Sequence, residues 1–152
     1  MSGVVDPASA EPAQGASPVS EVSQLQVDLL RWGAVGATAF AGVLHYAVVP
    51  QHRPWWLAAL AFTLVGGMQL AWAVLAFVAR DRRLLLLGAA LNGAALLAWL
   101  VSRTAGLPFG PHSGSPEPAG ALDLVTVVTE AAAVAALIGI ATVHTRRQPV
   151  PA

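Results

Sequence analysis

Cysteine and lysine are both absent from the 152 residues, and only 11% of positions are charged. Without cysteine the chain has no disulfide, thiolate nucleophile, iron-sulfur cluster or zinc knuckle, and thiol usage says nothing about the redox compartment. The eight basic residues are all arginine, eight acids balance them, and the formal charge is zero. No basic patch large enough to follow a phosphate backbone can be assembled, so nucleic acid is a poor candidate partner. Also missing are a nucleophile with its base in a recognisable motif, a HExxH zinc helix and a phosphate-cradling glycine loop, which ranks an enzyme last among the function classes.

Apolar residues fill the space these leave, at 56% of the chain. That balance belongs to membrane proteins rather than water-soluble domains, although the many Ala, Gly, Arg and Pro codons also fit a GC-rich coding sequence. Residues 1–24 are rich in Pro, Ala, Ser and Gly, carry acids and no base, and have too little apolar content to offset ordering entropy. They read as a disordered tail. The first base, Arg31, follows that polar tail, so the first apolar stretch is a retained span and not a cleaved signal.

Four apolar stretches follow, Leu29 to Val49, Trp55 to Ala79, Leu84 to Val101 and Leu124 to Val143. Each is close to the roughly 20 residues that cross a hydrocarbon core. The connections Pro50 to Pro54 and Arg80 to Arg83 are short enough to force antiparallel hairpins, whereas Ser102 to Asp123 is long and rich in Gly and Pro. The expected fold is therefore all-α: an antiparallel bundle of four transmembrane helices over residues 25–147, with a short tail at 148–152. Pro54 suits a first helical turn, Gly106 with Leu107-Pro108 suits a helix stop, and Ser115-Pro116-Glu117 suits an N-cap, an N1 proline and an acidic first turn. No internal repeat or inverted pair of interrupted helices is evident.

In a four-span topology Arg31, Arg80, Arg82, Arg83, Arg146 and Arg147 fall on one side, and Arg53 and Arg103 on the other. The positive-inside rule then puts both termini in the cytoplasm of a multi-pass plasma-membrane protein. Trp32 falls at the inner boundary and Tyr46, Trp55, Trp56 and Trp99 near the outer one, where amphipathic rings favour the headgroup region.

Polar side chains inside such spans are costly unless they are paired or face a cavity, which singles out His45, Gln69, Asn92 and Glu130. Gln69 lies ten residues before Ala79 and Asn92 eight residues after Leu84, so counting along antiparallel helices places them at similar depth, as an interhelical amide pair or part of a substrate path. His45 shares a helix face with Ala34, Thr38 and Gly42, a small-residue stripe that packs inward. Asp123 and Glu130, seven residues apart with Thr126 between them, share a face of the fourth helix, which puts Glu130 near the level of His45.

An imidazole beside a carboxylate suits a hydrogen-bonded ion pair, a proton site or part of a metal shell. His52 in the first hairpin and His112 in the long loop lie on the same side and would complete a divalent-metal shell with His45 and Glu130. Haem is disfavoured, because His144 lies at the opposite end of the bundle from His45, and His45 and His52 are too close in sequence to face each other across a porphyrin.

Arg103 lies at the end of the third helix, as a cation against the helix dipole or a partner for Asp123, Glu130 or an anion. It belongs to the most distinctive segment, Ser102 to Pro111, which reads SRTAGLPFGP. Together with His45, Gln69, Asn92, Asp123 and Glu130, this segment resembles a group of small uncharacterised actinobacterial integral membrane proteins carrying an SRTxGLPxGP run. The resemblance spans about residues 40–135. It implies a four-helix membrane fold and a bacterial plasma membrane, and carries no catalytic roles.

Two functions remain on the residues alone. In the first, the outward cluster of His45, Glu130, Asp123 and Arg103 holds an ion, proton or small ligand in a non-enzymatic protein. In the second, the cluster only orders the bundle of a structural or accessory subunit. The expected partners are the lipid bilayer and either a second copy of the chain or another membrane protein.

Overall fold

The computed structural model of the protein describes residues 18–146, with side chains described over 23–142. Four helices make up almost all of it: α1 (Pro18–His52), α2 (Trp56–Val78), α3 (Arg82–Thr104) and α4 (Ala121–Arg146). All four are long and apolar enough to cross a membrane. Between 22% and 33% of the most apolar window of each is buried inside the bundle, so most of each span presents Leu, Val and Phe side chains outward, as lipid requires.

Successive helices run antiparallel, and each packs on its neighbours in a ring, α1 against α2 and α4, and α3 against α2 and α4. Two ends can be distinguished. One, the terminal end, carries the short α2–α3 turn, the start of α1 and the end of α4; the other, the loop end, carries the α1–α2 and α3–α4 connections.

α3 exceeds its expected apolar stretch by two or three residues at each end, and larger differences from the sequence reading fall in three places. α1 begins at Pro18 rather than after residue 24, so seven residues assigned to the tail are helical; proline opens a helix easily because its missing N–H has no partner there anyway. Residues 1–17 and the tail at 148–152 lie outside the described residues. α1 also runs through Pro50 to His52, which leaves Pro54 in the tight turn before α2. The third difference concerns α4, which starts at Ala121 and not at Ser115. Pro118 disfavours helical backbone at Glu117, so a helix begun at Pro116 cannot propagate. The Asp123 carboxylate instead accepts from Gly120 N at 2.8 Å in the first turn.

Small residues set how closely the helices approach. A Cβ at Gly66 would lie 2.8 Å from Gly42 O, so α1 and α2 touch backbone to backbone at this level. Nearer the terminal end, Gly88 leaves room for the Trp72 indole, whose Nε1 donates to Leu84 O at 2.8 Å and ties α2 to α3. Around it Ala34, Val35, Ala73, Ala76, Leu85, Ala89, Leu137 and Ile140 close the terminal half with an apolar core.

The terminal end is also fastened by Arg31, which is 4% exposed and donates from one guanidinium nitrogen to Ala76 O and Ala79 O. The final turn of a helix leaves its carbonyls without intrahelical partners and partially negative, so a buried arginine there both satisfies and neutralises them. Counting charges made Arg31 a topology marker; the structure makes it the cap of α2. Asp28 and Arg80 add an exposed ion pair beside it at 3.1 Å.

These contacts predict opposite outcomes for two glycines. Gly66→Val forces α1 and α2 apart and should cost about 1–3 kcal/mol in reversible unfolding in mixed micelles. Gly33→Ala, whose added methyl meets nothing within 4 Å, should change stability by less than about 0.5 kcal/mol.

Candidate functional site

Just above the apolar core, all four helices contribute a polar side chain to one network: Thr38 and His45 from α1, Gln69 from α2, Asn92 from α3 and Glu130 from α4. Thr38, Gln69 and Asn92 are 0% exposed and Glu130 is 1% exposed. Groups buried this deeply must find partners within the protein, because neither lipid nor bulk water supplies them.

Asn92 Nδ2 donates to Gly88 O at 2.8 Å and to Thr38 Oγ1 at 3.1 Å. Its Oδ1 accepts from Gln69 Nε2 at 3.2 Å, and the same nitrogen donates to Glu130 Oε1 at 2.8 Å. Gln69 Oε1 lies 2.9 Å from His45 Nδ1, which also lies 3.0 Å from Ala41 O. His45 Nε2 faces Glu130 Oε1 at 3.9 Å, and the imidazole side chain keeps 11% of its exposure. Gln69 thus touches three of the other four members.

Gln69 can reach this position because of the Gly42–Gly66 contact: Gly66 is one turn from Gln69 on α2, and a Cβ at Gly42 would lie 3.3 Å from Gln69 Cβ. The small-residue stripe of α1 and the amide of α2 are therefore two sides of one packing arrangement. At about 0.6 kcal/mol on average and up to roughly 1.7 for an interhelical hydrogen bond in a membrane, the network is worth several such bonds only if every donor stays matched.

Arg103 and Asp123 pair with each other, one of the pairings expected for Arg103, and stand apart from the bonded network of His45 and Glu130. Arg103 donates through its two terminal nitrogens to Glu117 Oε2 and Asp123 Oδ2, both at 2.7 Å, at the loop end of the bundle. Its side chain is 13% exposed. Glu117 was missed in the sequence because it was assigned to a helical first turn; its backbone N–H instead closes on Ser102 O at 2.9 Å. Gly106, with φ of +79°, lets the chain leave α3 directly beneath Ser115, where any side chain would meet the Ser115 backbone. The distinctive Ser102 to Pro111 run is therefore the first half of a folded loop clasped by an arginine between two carboxylates.

The proposed metal set of His45, Glu130, His52 and His112 is not assembled either. Among the described residues no group of three or more His, Asp or Glu side chains is placed to hold a metal ion. His52 Nδ1 lies 2.8 Å from Val48 O, and its ring packs on Phe62 with centroids 4.5 Å apart. Phe62 also packs on His45, at 5.8 Å, so an aromatic ring contacts both histidines. His112 is 4.0 Å from Glu117 in the loop, where its side chain is about half exposed. His144 side-chain placement lies outside the described residues.

No protein-family model, curated protein or solved structure matches the chain at a significant level. The chemistry therefore rests on the site itself. It offers one acid and one imidazole facing each other at 3.9 Å, with the Gln69 amide bonded to the acid and within hydrogen-bond distance of the imidazole.

The shared hydrogen bonds make the members energetically dependent on one another. In a double-mutant cycle of Gln69→Leu with Glu130→Leu, stability in mixed micelles should show a coupling of about 1–2 kcal/mol. The pair Gln69→Leu with Thr63→Val should be additive to within about 0.5 kcal/mol, since Thr63 bonds only to its own helix at Ala59 O.

Proposed function

We propose that the chain is a non-enzymatic, multi-pass protein of a bacterial plasma membrane, with both termini in the cytoplasm, whose His45–Glu130 pair takes up and releases a proton. The orientation is supported by the sequence order, in which a four-span topology puts six of eight arginines on one side. That orientation makes the loop end the outer one and puts the pair in the outer half of the membrane. The bacterial assignment is supported by the resemblance of the SRTAGLPFGP segment.

The observation that carries the proton reading is the company Glu130 keeps. An acid 1% exposed has, among the described residues, an imidazole at 3.9 Å as its one basic partner, while Arg103 at the loop end is held by Glu117 and Asp123. A carboxylate in lipid matched by arginine keeps a permanent counter-charge, whereas one matched by a histidine changes the charge of the pair with a single proton. The apolar core below the pair supports exchange with the outer side alone, so the pair is a proton-binding site and not a conduit.

A structural or accessory subunit is the second reading. The specific observation favouring it is that the Thr38–Asn92–Gln69 portion is fully buried and bonded within the bundle, as a register-fixing cluster would be. A native gel of mildly solubilised membranes separates the two, since that reading requires a discrete larger complex.

Infrared difference spectra of the reconstituted protein test the proton reading. Between about pH 4 and 9, a carboxyl C=O band should appear and disappear, be missing in Glu130→Gln, and be displaced in His45→Gln. A spectrum in which Glu130 contributes no pH-dependent carboxyl band contradicts the proposal.

A further inference from the structure

An amide has one accepting and one donating end, so a buried amide chain has a direction, and that direction is fixed wherever the chain meets a group that can only accept. Two backbone carbonyls anchor this one. Gly88 O lies 2.8 Å from the Asn92 side chain and can only accept, which makes that end of Asn92 its Nδ2. Asn92 then turns Oδ1 toward Gln69, which must answer with Nε2 at 3.2 Å. The Gln69 amide nitrogen, so placed, also donates to Glu130 Oε1, and Gln69 Oε1 is left facing His45 Nδ1 at 2.9 Å. At the far end Ala41 O, 3.0 Å from the same Nδ1, can likewise only accept. Reversing Gln69 would set its NH2 against a protonated Nδ1 and its oxygen against both Asn92 Oδ1 and Glu130 Oε1. Three matched contacts would become three repulsive ones.

We infer that Gln69 is the positioning residue of the His45–Glu130 pair: it holds neutral His45 in the Nδ1–H tautomer, so that Nε2 is the one ring atom that exchanges a proton, and its partner is Glu130 Oε1. This rests on the proton reading of the pair. The step it defines is balanced within the pair. The N–H bond at Nε2 of an imidazolium breaks and an O–H bond forms at Oε1, so that an imidazolium and a carboxylate become a neutral imidazole and a neutral carboxyl. The proton crosses a gap that is 3.9 Å between heavy atoms at rest, which a small rotation of either side chain shortens. Among the described residues no other titratable side chain is bonded to this arrangement: α2 and α3 bring amides, and the Arg103–Glu117–Asp123 clasp belongs to the loop end.

The test is nitrogen-15 NMR of the full chain in bilayers, with labelled histidine in a His52→Gln, His112→Gln, His144→Gln background that leaves His45 as the sole signal. Above the imidazole transition, Nδ1 should show the protonated, pyrrole-type shift and Nε2 the bare, pyridine-type shift, the reverse of the tautomer that dominates for histidine in water. Gln69→Met should convert this single form into a mixture, while Glu130→Gln should leave Nδ1 protonated. A dominant Nε2–H form in the parent overturns the inference without any Gln69 variant. An unchanged tautomer in folded Gln69→Met overturns it as well, by assigning the preference to Ala41 O alone. Failure of the proton reading is seen separately, as a histidine tautomer that is fixed while the Glu130 infrared band stays silent to pH.

Discussion

The side-chain amide of Gln69 is the constraint around which the bundle is organised. It donates to Asn92 and Glu130, and its oxygen lies 2.9 Å from His45 Nδ1, so one residue of α2 is linked to each of the other three helices. In lipid the helices gain little from hydrophobic association, because the surrounding acyl chains are as apolar as leucine. Specific packing and matched hydrogen bonds must then decide register. A slide of any helix by one residue would separate Gln69 from at least one partner and leave a buried polar group bare, at a cost of about 1–3 kcal/mol.

Packing and polarity depend on each other at this level. The Gly42–Gly66 contact lets α1 and α2 come close enough for His45 and Gln69 to bond, and Gly88 admits Trp72 so that α2 and α3 stay in contact below Asn92. Each end has its own fastening. Arg31 satisfies the open carbonyls at the end of α2, and Arg103 holds the long loop to the start of α4 through Glu117 and Asp123. The two arginines perform structural work at opposite ends, and among the described residues the acid in the middle has histidine as its one basic neighbour. That division of labour turns a register-fixing network into a candidate proton site.

The spans were legible in the sequence because hydrocarbon thickness sets a length that apolar runs must match, and the short hairpins dictate antiparallel order. Depth was legible too, since position along a helix is a linear count; Gln69 and Asn92 were placed at one level from their distances to the helix ends. Counting along the axis says less about which side chains share a face across the bundle. For this reason the sequence places Asp123 and Arg103 in one cluster with Glu130, whereas Asp123 lies two turns from Glu130 along α4 and Arg103 bonds to Asp123 instead. Loop geometry was not legible, because the Arg103–Glu117 pairing depends on the turns at Gly106 and Gly114 and on Pro118 delaying α4. The capping role of Arg31 was hidden for a related reason: a charge near a helix end reads as a topology signal until the neighbouring helix terminus is placed beside it.

The central claim, that four helices converge on the Gln69 amide, is tested most directly by a dipolar distance between side chains in a bilayer. With glutamate labelled at carbon-13 Cδ and glutamine at nitrogen-15 Nε2, Gln69 and Glu130 should show the strong dephasing of a directly hydrogen-bonded pair, lost in Gln69→Leu. Absence of that dephasing in the folded parent would contradict the account, because α2 and α4 would then be held together by something other than this amide.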